Sequence, residues 1–255
     1  MRPERPAHAV FRVEHIMGMP IEIDVRDVEP DASLIDSAFA VLRHADGLFS
    51  TYKPDSQISR LGRGELRISD CDPAVDDVLT RAARLAKQTD GYFSVRPAGH
   101  LDPSGLVKGW AVQRAADAMS AGGAVNFMIN AGGDIVARGE PARDEKWRIG
   151  IRHPRDHDAL AAVVAGNDIA VATSGEYERG QHILDPHTSS PPQGLLSVTV
   201  VGGDLTNADA YATAIFAMGR AGADWALRLE GYETLCVTDD GMVLSTPGFS
   251  AFRVS

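Results

Sequence analysis

A chain of 255 residues with a formal net charge of −10 is poorly suited to a general polyanion partner, because a nucleic-acid groove needs a basic excess. Its 44% hydrophobic content is ordinary for a soluble globular protein, and its length leaves one large domain or two intimately joined lobes. Cys71 and Cys236 are too few for a disulfide scaffold, no run approaches the roughly 20 apolar residues of a membrane span, and Met1 to Val13 lacks the apolar core of a signal peptide. The chain as given therefore reads as cytoplasmic, with residues 1–9 expected to be flexible.

In chain order, Val10 to Val13 and Ile21 to Val25 read as strands around a Met17-Gly18-Met19-Pro20 turn, with Ile21, Ile23 and Val25 alternating against Glu22 and Asp24. Ser33 to Leu48 reads as a helix capped by Ser33, with Leu34, Ala38, Leu42 and Ala45 on its apolar stripe. The polar stretch Phe49 to Ser56 is a loop that carries Tyr52 as a candidate pocket wall. A second long helix is predicted from Ala74 to Lys87, with Asp76 and Asp77 in its first turn and Arg84 and Lys87 towards its end. Gly91 to Pro103 is irregular by composition, and Gly105 leads into a helix ending near Met119. Val125–Ile129 and Asp134–Ala137 follow as strands, then Trp147–Arg152, and then Ala159–Val164 and Ile169–Thr173 as a pair around Gly166-Asn167-Asp168. Leu195–Val201 is a β-branched strand, Ala221–Leu229 a late helix, and Leu235–Thr238, Met242–Leu244 and Phe249–Val254 close the chain as short strands. With strands predominating after residue 120 and no βαβ alternation, the fold class is α+β, layered, with largely antiparallel sheet and packed helices.

Between the last long strand and the late helix lies Ala208-Asp209-Ala210-Tyr211-Ala212-Thr213-Ala214-Ile215-Phe216, an apolar helical stretch carrying a carboxylate and a hydroxyl at i and i+4. Residues so spaced share one helix face, and an unpartnered carboxylate on a buried face is expensive. A hard cation such as Mg²⁺ would resolve it; so would a cap or a basic partner for Asp209, with Thr213 bonding back to its own turn. Lys108, at the start of a helix, opposes the dipole there unless it meets something negative, such as a phosphate or Asp102. Asn130-Ala131-Gly132-Gly133-Asp134 can bring backbone N–H groups to a ligand or form a tight hairpin connection, and the hydroxyls of Thr173-Ser174-Gly175 can touch a phosphate or simply close a turn. His182 and Asp185 flank two apolar residues before a Pro-containing turn: a base with its orienting carboxylate, or a loop histidine. Ser189 and Ser190 have no Gly-x-Ser-x-Gly frame, which gives serine-hydrolase chemistry low weight. Trp110 and Trp147 read as core.

Taken in order, these stretches make the chain resemble the ApbE-like FAD:protein FMN transferase family. The matching pieces are Met17-Gly18-Met19, Phe49 to Tyr52 with Ser56 to Leu61, and Leu101-Asp102 through Ala111. Asn130 to Ile135, Trp147 to Ile151, Ala172 to Gly175, His182 to Thr188 and Ala208 to Ala214 complete the series, so the resemblance spans about residues 13 to 250. It implies an ApbE-like fold that binds FAD, with Mg²⁺ at the diphosphate held by Asp209, Thr213 and a backbone carbonyl near Gly105. It further implies His182, with Asp185 beside it, as activator of the acceptor hydroxyl, and Met19, Tyr52, Asp102, Lys108, Asn130, Asp134, Thr173, Ser174 and His182 around the flavin. The implied reaction moves FMN from FAD to a threonine of a partner flavoprotein and releases AMP; no nucleic acid or membrane partner is expected. Three departures stand out. The passage from Gly91-Tyr92-Phe93-Ser94-Val95 to Leu101 is shortened, Asp102 is followed by Pro103-Ser104 in place of Leu-Gly, and the usual Asp-Pro-x-Thr-Gly becomes Asp185-Pro186-His187-Thr188-Ser189. A Mg²⁺-dependent FAD pyrophosphatase and a non-catalytic flavin-binding protein are the alternatives.

Overall fold

The computed structural model describes residues 9–96, 99–156, 158–175 and 183–254. His182 and the first eight residues lie outside that set. Eleven strands, named here in chain order, form two sheets among the described residues. The larger has the order β1 (Val10–Ile16), β2 (Met19–Val25), β3 (Phe127–Ala131), β4 (Asp134–Arg138), β7 (Ile169–Gly175), β8 (Leu195–Gly202), β9 (Glu233–Thr238) and β10 (Val243–Ser245). The smaller has the order β11 (Arg253–Val254), β6 (Leu160–Gly166) and β5 (Trp147–Arg152). Every pairing is antiparallel, as the sequence predicts.

Strand alternation divides the interior in two. Val136, Ala170, Ala172, Val200 and Cys236 point to one face of the large sheet and pack with α1 (Ala32–Phe49), α3 (Pro73–Gln88), α4 (Ser104–Ala121) and α5 (Leu205–Ala217). Their neighbours Ala137, Ile169, Val171, Val201 and Leu235 point to the other face and pack against Trp147, Ile149 and Ile151 of the small sheet. A period of two thus builds a three-layer molecule, helices over a large sheet over a small one. Trp110 and Trp147 are both core, as expected. Two further short helices, α2 (Gln57–Gly62) and α6 (Arg220–Trp225), complete the α-helices among the described residues.

Several boundaries differ from expectation for identifiable reasons. The cap of α1 is Asp31, whose carboxylate accepts from the Ser33 N–H, so Ser33 is already helical. Met19 and Pro20 belong to β2, leaving Met17-Gly18 as the whole turn. The predicted hairpin of Ala159–Val164 with Ile169–Thr173 does not form. β7 is apolar on both faces and inserts between β4 and β8, while the half-exposed β6 joins the small sheet, so Gly166-Asn167-Asp168 carries the chain from one sheet to the other. Phe249 to Val254 is mostly a 3₁₀ turn (Pro247–Ala251), with only Arg253 and Val254 extended.

Candidate active site

The site grows from the crossing of α4 and α5. On α4, Gly105, Gly109 and Gln113 recur every fourth residue and face α5. A Cβ at Gly109 would stand 2.5 Å from the Leu205 carbonyl oxygen and 2.7 Å from Asp209 Cβ, so only glycine permits this approach. Four residues on, Gln113 Oε1 accepts from the Leu205 N–H at 2.9 Å, and Asp204 caps the same helix end through the Asn207 N–H. Asp209 is therefore not a cap of its own helix.

Its carboxylate, 3% exposed, is instead turned onto α4, where Oδ2 accepts from the Gly109 N–H at 2.8 Å. In a regular helix that N–H serves the Gly105 carbonyl. Asp209 therefore engages the same N–H to which the Gly105 carbonyl is directed.

Asp209 Oδ1 lies 3.8 Å from Lys108 Nζ, and the same ammonium is 2.7 Å from Oδ2 of Asp134. Asp134 is 1% exposed and opens β4; its Oδ1 accepts from the Thr173 N–H at 3.2 Å, while Oδ2 makes no regular hydrogen bond and rests on the ion pair. The hairpin turn Gly132-Gly133 before it has φ of 58° and 96° at its two residues, the left-handed pair a two-residue turn demands. Desolvation is the largest influence on Asp209; Lys108 opposes it, Asp134 adds repulsion, and the carboxyl is pushed up to about 7. Lys108 thus meets Asp134 and Asp209, while Asp102 Oδ1 accepts from the Ser104 N–H.

With both carboxylates ionised, the cluster carries one more negative than positive charge away from water. Thr213 Oγ1 stands 3.5 Å from Ser174 Oγ, and Asp209, Thr213, Ser174 and Gly105 border one cavity of about 120 Å³. Carboxylate and hydroxyl oxygens, with the backbone of Gly105 beside them, are the oxygen donor set of a hard divalent cation, so these residues fit Mg²⁺. Thr213 does not merely bond back to its own turn. Among the described residues no three His, Cys, Asp or Glu gather, so the donor set is mixed.

Ser104 and Lys108 also border a second cavity of about 350 Å³, walled by Met17, Met19, Phe49, Tyr52 and Val107. Tyr52 is 96% exposed at its rim. The structure thus gathers Asp102, Gly105, Lys108, Thr173, Ser174, Asp209 and Thr213 at one cavity and Met19 and Tyr52 at its neighbour, with Asp134 buried behind Lys108. Thr173 Oγ1 additionally pairs with Thr199 Oγ1 at 2.9 Å.

Two expected residues stand apart. Asn130 borders neither cavity; its Oδ1 accepts from the Gly133 N–H and fixes the hairpin. Asp185 spends both oxygens on its own turn, accepting from the His187 N–H and the Thr188 hydroxyl. Ser189 sits in that turn at φ 57°, the left-handed position where the family pattern has glycine. Gly175 and Ile183, the described residues flanking 176–182, both border the first cavity. Sequence reasoning overlooked Tyr92, Ser94 and Ser104 as lining residues, and it overlooked the role of Gly109. A glycine on an otherwise unbroken helix was the available signal for close helix approach.

The ApbE family profile matches residues 17–99 and 94–236. An FAD:protein FMN transferase of Klebsiella pneumoniae is 32% identical, with 95% of this chain and 79% of that protein aligned. One from Salmonella typhimurium is 26% identical over 82% of this chain and 79% of its own. The solved flavin transferase ApbE from Vibrio cholerae superposes with a TM-score of 0.84 at 25% identity, covering 97% of this chain and all of that one.

Proposed function

Because the chain belongs to the ApbE family, we propose that it carries out flavin transfer by breaking the diphosphate of FAD, joining FMN to a threonine hydroxyl of an acceptor flavoprotein and releasing AMP. The observation that carries this reading is the convergence of Asp209, Thr213, Ser174 and Lys108 on one small cavity beside a larger apolar one. About 120 Å³ suits a phosphate group better than a ring system, and the adjoining 350 Å³ space, walled by Met, Phe and Tyr, suits a flat aromatic group.

Asp209, Thr213 and the Gly105 carbonyl would hold Mg²⁺, which when bound would supply electrostatic stabilisation of negative charge on the diphosphate. Lys108 sets a second positive charge at the junction of the two cavities, held in place by Asp134. Thr173, Ser174 and Gly175 border the small cavity as the C-terminal end of β7 and offer polar contacts to phosphate oxygens. His182 takes the proton as the acceptor oxygen attacks the FMN phosphorus; the phosphorus–oxygen bond to AMP breaks, and AMP leaves with the electron pair. His182 is assigned by its place in the family pattern, and it belongs to residues 176–182, whose described neighbours Gly175 and Ile183 border the cavity.

Water in place of threonine would give free FMN and AMP from the same residues, and binding without cleavage would make the chain a flavin carrier. The test is AMP release measured with and without a threonine-bearing acceptor, with free and protein-bound flavin separated on a denaturing gel. AMP release accompanied by gel-stable flavin supports transfer. AMP with free FMN alone supports the hydrolase, and no AMP under any condition supports the carrier. His182→Ala should bind FAD normally and transfer slowly; transfer at the parent rate would remove its role as base.

A further inference from the structure

Behind the small cavity lies a second opening that the chemistry above does not use. It is an apolar groove of about 560 Å³ between α2, α3, residues 91–96 and Leu101, with Leu61, Leu79, Ala83 and Phe93 among its walls. Ile68, at its side, is 40% exposed. The groove and the catalytic cavity share a wall. Ser94 borders both, and the ring of Phe93, on the groove floor, comes within 3.6 Å of the Cβ position of Gly105 on the cavity side.

That wall is firmly made. Thr89, fully buried at the end of α3, accepts from the Phe93 N–H at 2.9 Å and donates to the Leu85 carbonyl, while Asp90 and Gly91 turn the chain with φ of 51° and 87°. The groove also differs in charge from the rest of the chain. Arg96 lines it, and Arg84 and Lys87 follow its residues Ala83 and Ala86; the acids that adjoin its residues in sequence are Asp90 and Asp102. Net charge for the whole chain is −10, so a cationic edge here is a local inversion.

Resting on the transfer reading above, we propose that this groove docks the acceptor protein, taking an apolar side chain a few residues from the target threonine, flanked by an acidic residue that meets Arg96. A polypeptide acceptor must place one hydroxyl at the catalytic cavity while its neighbouring residues rest on the enzyme surface. At about 3.3 Å per extended residue, the next few residues reach only a nearby surface. The groove is that surface, because it begins on the other side of Phe93 and Ser94. Its open, aliphatic walls accept a Leu, Ile or Met side chain with little polar demand.

The probe is the threonine-bearing acceptor that the parent chain modifies in the preceding assay, and the variants are Ala83→Glu and Arg96→Glu, with Ala83→Ser as the conservative control. Ala83 is exposed on α3, and Glu is a good helix former, so the fold should hold. Expected for Ala83→Glu is a rise of at least fivefold in KM for the acceptor, with kcat, FAD affinity and acceptor-independent AMP release unchanged and Ala83→Ser parent-like. Arg96→Glu should raise the same KM and weaken its salt dependence. Parent-like acceptor KM in both Glu variants, with FAD binding intact, overturns the docking site and leaves the transferase reading standing. A parent chain that modifies no threonine-bearing acceptor overturns both.

Discussion

Replacing Gly109 with alanine tests whether the α4–α5 contact sets Asp209, the proposed metal ligand. The added Cβ would sit 2.5 Å from the Leu205 carbonyl oxygen and 2.7 Å from Asp209 Cβ, well inside contact distance, and neither neighbour is a flexible side-chain tip. The helices must separate or shift, an overpacking penalty of about 1–3 kcal/mol. Moving Asp209 off the Gly109 N–H removes a hydrogen bond to a charged group, about 1.5–3 kcal/mol. Against these stands the helix gain of alanine over glycine, about 1 kcal/mol. The balance is a loss of about 1.5–5 kcal/mol, or on the order of 10 °C in Tm for a chain of this size. Urea melts with and without Mg²⁺ would read both effects: a lower midpoint, and little or no stabilisation by the ion. An alanine variant as stable as the parent, with an undiminished Mg²⁺ response, would refute the argument that this contact aims the carboxylate.

Asp209→Asn separates charge from shape. Because burial raises the folded-state pKa of Asp209 to about 7 from the ordinary value of 3.8, its ionisation opposes folding from about pH 4 upward, and the penalty is complete above about pH 7. The Asn variant without added metal should therefore match the parent near pH 4 and exceed it at pH 8, with no stabilisation by Mg²⁺; equal stability at both pH values would contradict the burial argument. Lys108→Met leaves Asp134 and Asp209 facing each other without their cation, and should lower stability by about 3–5 kcal/mol at pH 8, measured by denaturant midpoint. Cys236 is buried, with its thiol pushed up to about 12, whereas Cys71 is part-exposed, so a thiol reagent should label one cysteine in the native protein and two after denaturation.

What the sequence made legible was local. Asp209 and Thr213 could be matched because a helix puts i and i+4 on one face, and Trp147 to Arg152 because alternation is strict when one face is buried. The antiparallel class followed from strands without intervening helices. What stayed hidden depends on long-range contact. Gly109 meets Asp209 across 100 positions, and no periodicity pairs Lys108 with Asp134 rather than the nearby Asp102. The hairpin expected at Gly166-Asn167-Asp168 failed because local turn residues also suit a crossing between sheets, and the double-sided apolar pattern of β7 outweighed them. The groove beyond Phe93 is built by three segments whose residues read, singly, as ordinary core and loop.

The most direct measurement is the intact mass of a threonine-bearing acceptor flavoprotein after incubation with this chain, FAD and Mg²⁺. The account predicts a gain of one covalently attached FMN, absent when the target threonine is changed and absent with Asp209→Ala in place of the parent. An acceptor of unchanged mass, with AMP and free FMN accumulating across several such partners, would contradict transfer and leave hydrolysis as the activity.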